Sequence, residues 1–207
     1  MKLIAVSQCV DVIGVRAERR DALDQLLSAW LMSAGYVPVP VPNQLSQGNQ
    51  SGQKFIGNLL LNWLDMVQPS GVVLSGGNDL GECPERDETE NILLQWAEKN
   101  LIPVLGICRG MQMLGVRTGG RLKPVVGHVR TRHTLVSDIF SGEANSYHNF
   151  ALAECPLGYK VAAQSEDGEI EAIMHISLPW EGWMWHPERE VDFQARDIHR
   201  VRELFGE

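Results

Sequence analysis

A cysteine stands between two glycines in the segment PVLGICRGMQMLG, residues 103–115, where an apolar run gives way to helical spacing. The order strand, Gly-x-Cys-x-Gly, helix is typical of a nucleophile elbow, a sharp turn that holds a reactive side chain above a sheet. The positive N-terminal end of the following helix would favour the thiolate of Cys108 over the thiol. The alternative interpretation is a small buried core residue, which is how free cysteines usually occur.

His186 is the candidate base for this nucleophile. It ends the segment WEGWMWH, which alternates like a strand, and Pro187 and Glu188 follow it. Because side chains two apart on an extended segment point the same way, Glu188 could hold one ring nitrogen of His186 while the other faces the sulfur. A surface His-Pro-Glu turn without chemistry is the alternative interpretation.

A thiolate that attacks a carbonyl also needs donors for the oxygen that becomes negative. We expect one donor to be the backbone N–H of Arg109, at the start of the helix after the elbow. We expect the other from Gly77 in LSGGND, a glycine-rich loop after a buried strand. Paired glycines such as Gly76 and Gly77 also occur in ordinary tight turns, so that interpretation stays open.

The elements that must position these residues alternate along the first half of the chain. Prolines make YVPVPVPN an edge strand, because proline cannot donate to a ladder. The pattern predicts buried strands over residues 3–7, in the β-branched apolar run of GVVLSGGND that ends in paired glycines, and over residues 101–107. It predicts helices from Glu18 to Gly35, from Phe55 to before Pro69, and over Glu85 to Asn100. Such alternation predicts an α/β fold with a mostly parallel central sheet flanked by helices.

The second half of the chain has a different pattern. YKVAAQS, the turn EDG and EIEAIMH predict a hairpin, and residues 190–205 predict a terminal helix. A single domain over residues 1–207 is the simplest interpretation, although a break near residue 120 stays open.

Composition limits the classes of function. The 207 residues carry a net charge of −8, which argues against nucleic acid or an anionic membrane surface as the main partner. We find no signal peptide and no apolar run near the ~18 residues of a membrane span. The four cysteines form no CxxC pair, so we expect free thiols in a reducing cytoplasm, no metal site and no cofactor.

SGGND, PVLGICRGMQMLG, NSYHNF and MWHPERE, in this order, resemble the class I glutamine amidotransferase superfamily and most closely its gamma-glutamyl hydrolases. ERDETE is similar to an Arg-Asp-x-x-Glu pattern of that branch. A charge network at a helix start is the equally open interpretation of Arg86, Asp87 and Glu90.

The resemblance implies a flavodoxin-like α/β fold and a Cys108–His186–Glu188 triad. In such a mechanism the cysteine attacks a gamma-glutamyl carbonyl, the histidine gives a proton to the departing nitrogen, and water hydrolyses the thioester to release glutamate. Further positions that the resemblance implies for the substrate pocket are Gln112 and His148. Gly76 and Asn78, in the glycine-rich loop, are also candidate substrate-binding residues.

AERRDALDQ, LSGGNDL, GHV, NSYHNFA, DGEIEA and MWHPERE also resemble the hydrolases of bacterial surface-polysaccharide clusters. That resemblance implies gamma-glutamyl-CDP-amidate as substrate and cytidine diphosphoramidate as product. The segment LKPVVGHVRTRH gathers basic residues, of which Arg130 and Arg132 could neutralise a pyrophosphate. A solvated basic loop is an equally open interpretation.

A gamma-glutamyl-amine hydrolase of the gamma-aminobutyrate type is an alternative within the same branch, and two other functions remain open. A glutaminase subunit would hydrolyse free glutamine and pass ammonia to a synthase partner, which we do not favour. A non-enzymatic relative that binds a metabolite is least favoured, because candidates for nucleophile, base and acid are all present.

Overall fold

The computed structural model describes residues 1–15, 17–47 and 59–206. In these ranges the α-helices are α1 (Gln25–Ser33), α2 (Leu59–Val67), α3 (Pro84–Asn100), α4 (Arg109–Arg117) and α5 (Ala195–Phe205), and short 3-10 helices span Asn43–Leu45 and Pro187–Arg189. The strands are β1 (Lys2–Ser7), β2 (Cys9–Ile13), β3 (Glu18–Ala22), β4 (Tyr36–Val41), β5 (Gly71–Leu74), β6 (Val104–Ile107), β7 (Leu122–Pro124), β8 (Val129–Thr134), β9 (Glu143–Tyr147), β10 (Phe150–Leu152), β11 (Tyr159–Gln164), β12 (Ile170–His175) and β13 (Trp180–Trp183).

A seven-stranded sheet in the order β11-β12-β13-β6-β5-β1-β4 forms the centre of the molecule. The run from β13 to β4 is parallel, and β12 and β11 are added antiparallel at one end. The sheet is flanked by helices, so the predicted fold class and the predicted hairpin of β11 and β12 are confirmed. The proline-rich strand β4 lies at the sheet edge, as predicted.

Parallel pairing explains how distant parts of the chain meet. Leu74 of β5 lies opposite Gly106 of β6, and Trp183 of β13 lies opposite Ile107. Because the carboxyl ends of parallel strands meet at the same sheet edge, the segments after Leu74, Ile107 and Trp183 lie side by side. These segments contain the glycine-rich loop, the cysteine and the histidine.

The predicted helix from Glu18 was wrong in its first part. Glu18–Ala22 is β3, which pairs antiparallel with β2, and the helix begins only at Gln25. Asp24 caps that helix, since its carboxylate accepts from the Leu26 N–H at 2.9 Å. Long-range hydrogen bonds hold the hairpin, because Asp21 accepts from the backbone and side chain of Asn43 at 2.9 and 2.8 Å.

Other boundaries also differ from the predictions. The strand expected to reach His186 ends at Trp183, and the terminal helix begins at Ala195 rather than at residue 190. The basic segment expected as a loop contains β7 and β8, which belong to separate two-stranded sheets. Phe55 and Ile56, at the start of the second predicted helix, lie outside the described residues.

Tryptophans fill much of the core between the sheet and its helices. Trp30, Trp183 and Trp185 are fully buried. Trp183 stacks on Trp185 with ring centroids 5.3 Å apart and meets Trp30 edge-on at 6.2 Å. None of the helices in the described residues has the length and apolar character needed to cross a membrane.

Candidate active site

Cys108 lies in the sharp turn between β6 and α4. Its φ of 50° and ψ of −103° fall in a region that side-chain-bearing residues rarely adopt, so this backbone is strained. The turn is held by the Cys108 N–H, which donates to the Trp183 carbonyl at 2.7 Å. Gly110 lies so close to Leu74 that an added methyl group would overlap the Leu74 carbonyl oxygen. The structure therefore forms the elbow that the two glycines predicted.

His186 and Glu188 form a buried pair. The Nδ1 atom of His186 lies 2.7 Å from Oε1 of Glu188, and both side chains are only 3% exposed. The expectation that both residues share an extended segment was wrong, because Pro187–Arg189 is a 3-10 helix. The turn nevertheless brings the carboxylate to the ring. Asn145 supports this segment, since its amide exchanges hydrogen bonds with the His186 backbone at 2.7 and 2.9 Å.

The imidazole of His186 and the Cys108 side chain line the same cavity and attract one another. Because Glu188 occupies Nδ1, the nitrogen that remains for the sulfur is Nε2. Burial alone would lower the pKa of His186, but interaction with Cys108 and the hydrogen bond with Glu188 together raise it to about 9. The arrangement favours an imidazolium beside the sulfur at neutral pH.

Arg86 fixes the loop that contains Gly76 and Gly77. Its Nη2 atom donates to the carbonyl oxygens of Ser75 at 2.6 Å and Gly76 at 2.9 Å. Because C=O and N–H of a trans peptide point in opposite directions, the Gly77 N–H is directed away from this guanidinium, as an oxyanion donor would need to be. Gly77 has a φ of 111°, which suits glycine alone, and it lines the cavity at Cys108.

Arg86, Asp87 and Glu90 do form the charge network that the sequence left open, and Arg109 completes it. Arg86 and Glu90 are fully buried, and Nε of Arg86 lies 3.1 Å from Oε1 of Glu90. Arg109 pairs with both Glu90 and Asp87. Burial and the neighbouring Arg86 lower the pKa of Arg109 to about 9, which still leaves it protonated at neutral pH. The positive charges of the two arginines therefore balance the negative charges of the two carboxylates, behind the Cys108 turn and the loop that contains Gly76 and Gly77.

A small cavity opens at the sulfur. Its volume is about 130 Å3. The residues that line it are Gly77, Asp79, Cys108, Arg109, Gln112, Tyr147, His148, Asn149, His186 and Arg189. We refer to this space as the Cys108 cavity. It contains the triad candidates Cys108 and His186, whereas Glu188 lies behind the imidazole.

Sequence reasoning missed Arg189 and Tyr147 as wall residues. The guanidinium of Arg189 lies over the Tyr147 ring at 4.9 Å from its centroid, and both side chains border the Cys108 cavity. Arg189 follows directly after the predicted triad glutamate, so its proximity to His186 was a usable signal. Tyr147 belongs to the segment NSYHNF, in which only His148 was selected.

Gln112 and His148 meet at one carbonyl group on the cavity wall. Nε2 of Gln112 donates to the Phe150 oxygen at 3.0 Å, and Nδ1 of His148 lies 3.0 Å from the same oxygen. Both side chains are buried and line the Cys108 cavity, which is where the sequence analysis expected them.

Four predicted substrate-binding residues lie within the described part of the chain but are not among those that line the Cys108 cavity: Gly76, Asn78, Arg130 and Arg132. Gly76 lies against the His186 ring instead. The Asn78 side chain is engaged with the hairpin strand β2, accepting from the Val10 N–H at 2.8 Å and donating to its carbonyl at 3.0 Å. Arg132 pairs at the surface with Glu143 and Glu190. Arg130 is exposed, and neither arginine is among the described residues that line the Cys108 cavity.

The sheet and the elbow define a class of protein. Residues 32–200 match the family model described as glutamine amidotransferase class-I, and the chain belongs to this family.

Similar proteins in the family have different activities. The chain is 32% identical to a glutamine-hydrolyzing GMP synthase subunit of Thermococcus kodakarensis, over 68% of this chain and 78% of that protein. It is 34% identical to gamma-glutamyl-CDP-amidate hydrolase of Campylobacter jejuni, over 65% of this chain and 69% of that protein. A solved glutamine amidotransferase from Thermotoga maritima shares the fold with a TM-score of 0.63 at 18% identity, covering 98% of this chain and 83% of that one.

Proposed function

We propose that the protein is a cysteine-dependent hydrolase of gamma-glutamyl C–N bonds, with Cys108 as nucleophile, His186 as general acid and base, and Glu188 as the residue that orients the imidazole. The observation that carries this proposal is the buried line of contacts from Glu188 through His186 to Cys108 at the carboxyl edge of the sheet. We infer an ion pair between the imidazolium of His186 and a Cys108 thiolate, and the raised pKa of His186 supports the imidazolium at neutral pH.

The proposed chemistry has two halves. The Cys108 thiolate adds to the gamma-glutamyl carbonyl carbon, and the backbone N–H groups of Gly77 and Arg109 stabilise the negative oxygen. The imidazolium of His186 then protonates the leaving nitrogen as the C–N bond breaks, which leaves a thioester. In the second half the neutral imidazole removes a proton from water, the hydroxyl adds to the thioester, and glutamate departs as the thiolate and imidazolium return.

The size of the Cys108 cavity favours a small acyl group. At about 130 Å3 it is smaller than the roughly 300–1,000 Å3 of sites that enclose whole drug-sized ligands. We infer that it holds the glutamyl part, with the Arg189 guanidinium near the α-carboxylate and Asp79 near the α-ammonium group. The leaving group then extends out of the cavity toward solvent.

We propose gamma-glutamyl-CDP-amidate as the substrate, which would yield glutamate and cytidine diphosphoramidate. The similarity to the Campylobacter jejuni hydrolase supports this choice. Tyr147, a residue that is 38% exposed, lines the cavity, and a base could stack on the ring face that Arg189 leaves free. The basic segment 123–133 adds little support, because Lys123 and Arg132 already pair with Glu169 and with Glu143 and Glu190.

A glutaminase subunit is the second candidate function. The similarity to the GMP synthase subunit of Thermococcus kodakarensis, at nearly the same identity, favours it. Such a subunit would pass ammonia to a synthase partner, so its activity would depend on that partner.

A substrate panel with the purified protein alone separates the two candidates. We expect glutamate release from gamma-glutamyl-CDP-amidate to exceed that from L-glutamine, and to disappear in Cys108→Ala. Cys155→Ala is the matched control, because Cys155 is a free and exposed thiol outside the site. Glutamine hydrolysis that appears only after a synthase is added would overturn the hydrolase proposal in favour of the second candidate.

A further inference from the structure

Three buried side chains converge on one point behind the wall of the Cys108 cavity. Nδ1 of His128 lies 3.2 Å from Nε2 of His148, and Oε1 of Glu171 lies 3.4 and 3.5 Å from these two nitrogens. His128 and Glu171 are each 1% exposed, and His148 is 3% exposed. Oε1 of Glu171 has no hydrogen-bond partner among the described residues, although a buried carboxylate oxygen normally has one.

In the rings of His128 and His148, one nitrogen faces Glu171 (the inner nitrogen) and the other is hydrogen-bonded elsewhere (the outer nitrogen). The hydrogen bond of the outer nitrogen determines whether the inner nitrogen carries a lone pair. Nδ1 of His148 lies 3.0 Å from the Phe150 carbonyl oxygen, which only accepts, so this nitrogen carries a proton. Nε2 of His128 lies 2.9 Å from the Asp167 carboxylate and donates to it in the same way.

In neutral rings the inner nitrogens are therefore unprotonated, and two lone pairs face the Glu171 carboxylate with no hydrogen between them. Three acceptors in a dry space repel one another unless a proton or a metal ion lies among them. A histidine that donates its outer N–H to a carboxylate or a backbone carbonyl is also the usual arrangement of a metal ligand, because that bond sets the tautomer and the ring orientation.

The distances between the three candidate ligand atoms match those expected around one bound metal ion. A tetrahedral ion with ligand bonds of about 2.0–2.1 Å places its ligand atoms about 3.3 Å apart. The three measured separations of 3.2, 3.4 and 3.5 Å lie close to that value. Two histidines and one carboxylate are a known ligand set for zinc, with a fourth position left for water.

We propose that His128, His148 and Glu171 bind a divalent transition metal of the zinc type. The site was not expected from the sequence, because its ligands come from three separate segments: before β8, between β9 and β10, and in β12. The ring of His133 packs on that of His128 with centroids 4.1 Å apart.

The metal would tie the cavity wall to the central sheet. Glu171 belongs to β12 of that sheet, whereas His148 lines the Cys108 cavity and shares the Phe150 carbonyl with Gln112. We infer a positioning role: the ion holds His148 and, through Phe150, the Gln112 side chain in place. The proposal does not depend on which gamma-glutamyl substrate the protein takes.

Cobalt binding to the chelator-treated protein tests the site directly. We expect Co²⁺ to bind at one equivalent with the intense visible absorption of a tetrahedral complex, and Zn²⁺ to displace it and raise the melting temperature. Glu171→Gln and His128→Gln should weaken binding about 100-fold or more, whereas His199→Gln, an exposed histidine on α5, should bind as the parent does.

A second variant covers the case in which the buried substitutions fail to fold. Asp167 is 55% exposed, so Asp167→Asn should fold, and loss of its hydrogen bond to His128 should weaken cobalt binding about 10- to 100-fold. Absence of the tetrahedral cobalt spectrum in the parent protein would overturn the proposal. Equal cobalt affinity in the parent and in Asp167→Asn or a folded Glu171→Gln would overturn it as well.

Discussion

The imidazole of His186 lies directly against Gly76, so closely that a methyl group at position 76 would be 2.6 Å from the ring carbon Cε1. Glycine is therefore required here for space, and the loop after β5 forms one wall of the histidine site. This contact links the glycine-rich loop to the proposed base as well as to the proposed oxyanion hole.

Gly76→Ala should lower kcat by about 100-fold or more, because the imidazole must move away from Cys108 to relieve the overlap. Steady-state kinetics with gamma-glutamyl p-nitroanilide, a chromogenic substrate, measure the effect. Gly168→Ala is the control: its added methyl meets open space, although its φ of 89° costs stability. An undiminished kcat in Gly76→Ala would show that the histidine does not need its present position.

The pH dependence of activity should report the proton on His186. A pKa raised to about 9 means that the imidazolium persists through neutral pH and is lost above pH 9, so kcat/KM should fall on that alkaline side. In Cys108→Ala the attraction that raises this pKa is removed, so a histidine NMR titration should show a lower pKa for His186. A neutral imidazole in the parent protein at pH 7 would contradict the ion pair.

Glu90→Gln should lower the free energy of unfolding by roughly 3–5 kcal/mol, since it leaves two buried arginines with a missing partner. Glu90 contacts Arg86 and Arg109 and accepts from Ser7 at 2.8 Å. Urea denaturation followed by fluorescence gives the value. Glu98→Gln, which breaks the half-exposed pair with Arg117, should cost about 1 kcal/mol or less. Equal losses in the two variants would mean that burial of the network contributes nothing.

Arg189→Met should raise KM for gamma-glutamyl p-nitroanilide about 10-fold with little change in kcat. The reason is that Arg189 is proposed to hold the α-carboxylate, a group that this substrate and gamma-glutamyl-CDP-amidate share. Arg132→Met is the matched control, since Arg132 pairs with glutamates at the surface. A KM that rises only for gamma-glutamyl-CDP-amidate would mean that Arg189 contacts the phosphates rather than the α-carboxylate. An unchanged KM for both substrates would remove Arg189 from the site.

The sequence predicted the elements whose signal is local. The Gly-x-Cys-x-Gly frame placed Cys108 at a strand–helix junction, and parallel pairing of β6 with β5 and β13 then brought the glycine loop and His186 to the same edge. The hairpin of β2 and β3 was missed because Asp21–Asn43 and Asn78–Val10 hydrogen bonds hold it from a distance. Helical spacing of the neighbouring apolar residues concealed it.

The remaining site features depend on tertiary packing. Arg130 and Arg132 are basic neighbours of one another in the sequence, but the strand β8 carries Arg132 to acidic partners at the surface. The His128, His148 and Glu171 cluster has no ligand spacing in the sequence, because three segments supply one residue each. Arg189 was within reach of prediction, since it follows Glu188 directly.

Trapping the acyl-enzyme tests the central claim most directly. The protein is mixed with gamma-glutamyl p-nitroanilide, quenched in acid within the first turnover, and analysed by intact-mass and peptide mass spectrometry. We expect one glutamyl group in thioester linkage, located on the peptide that contains Cys108, and none in Cys108→Ala. A glutamyl group on any other residue, or turnover that persists in Cys108→Ala, would contradict the mechanism.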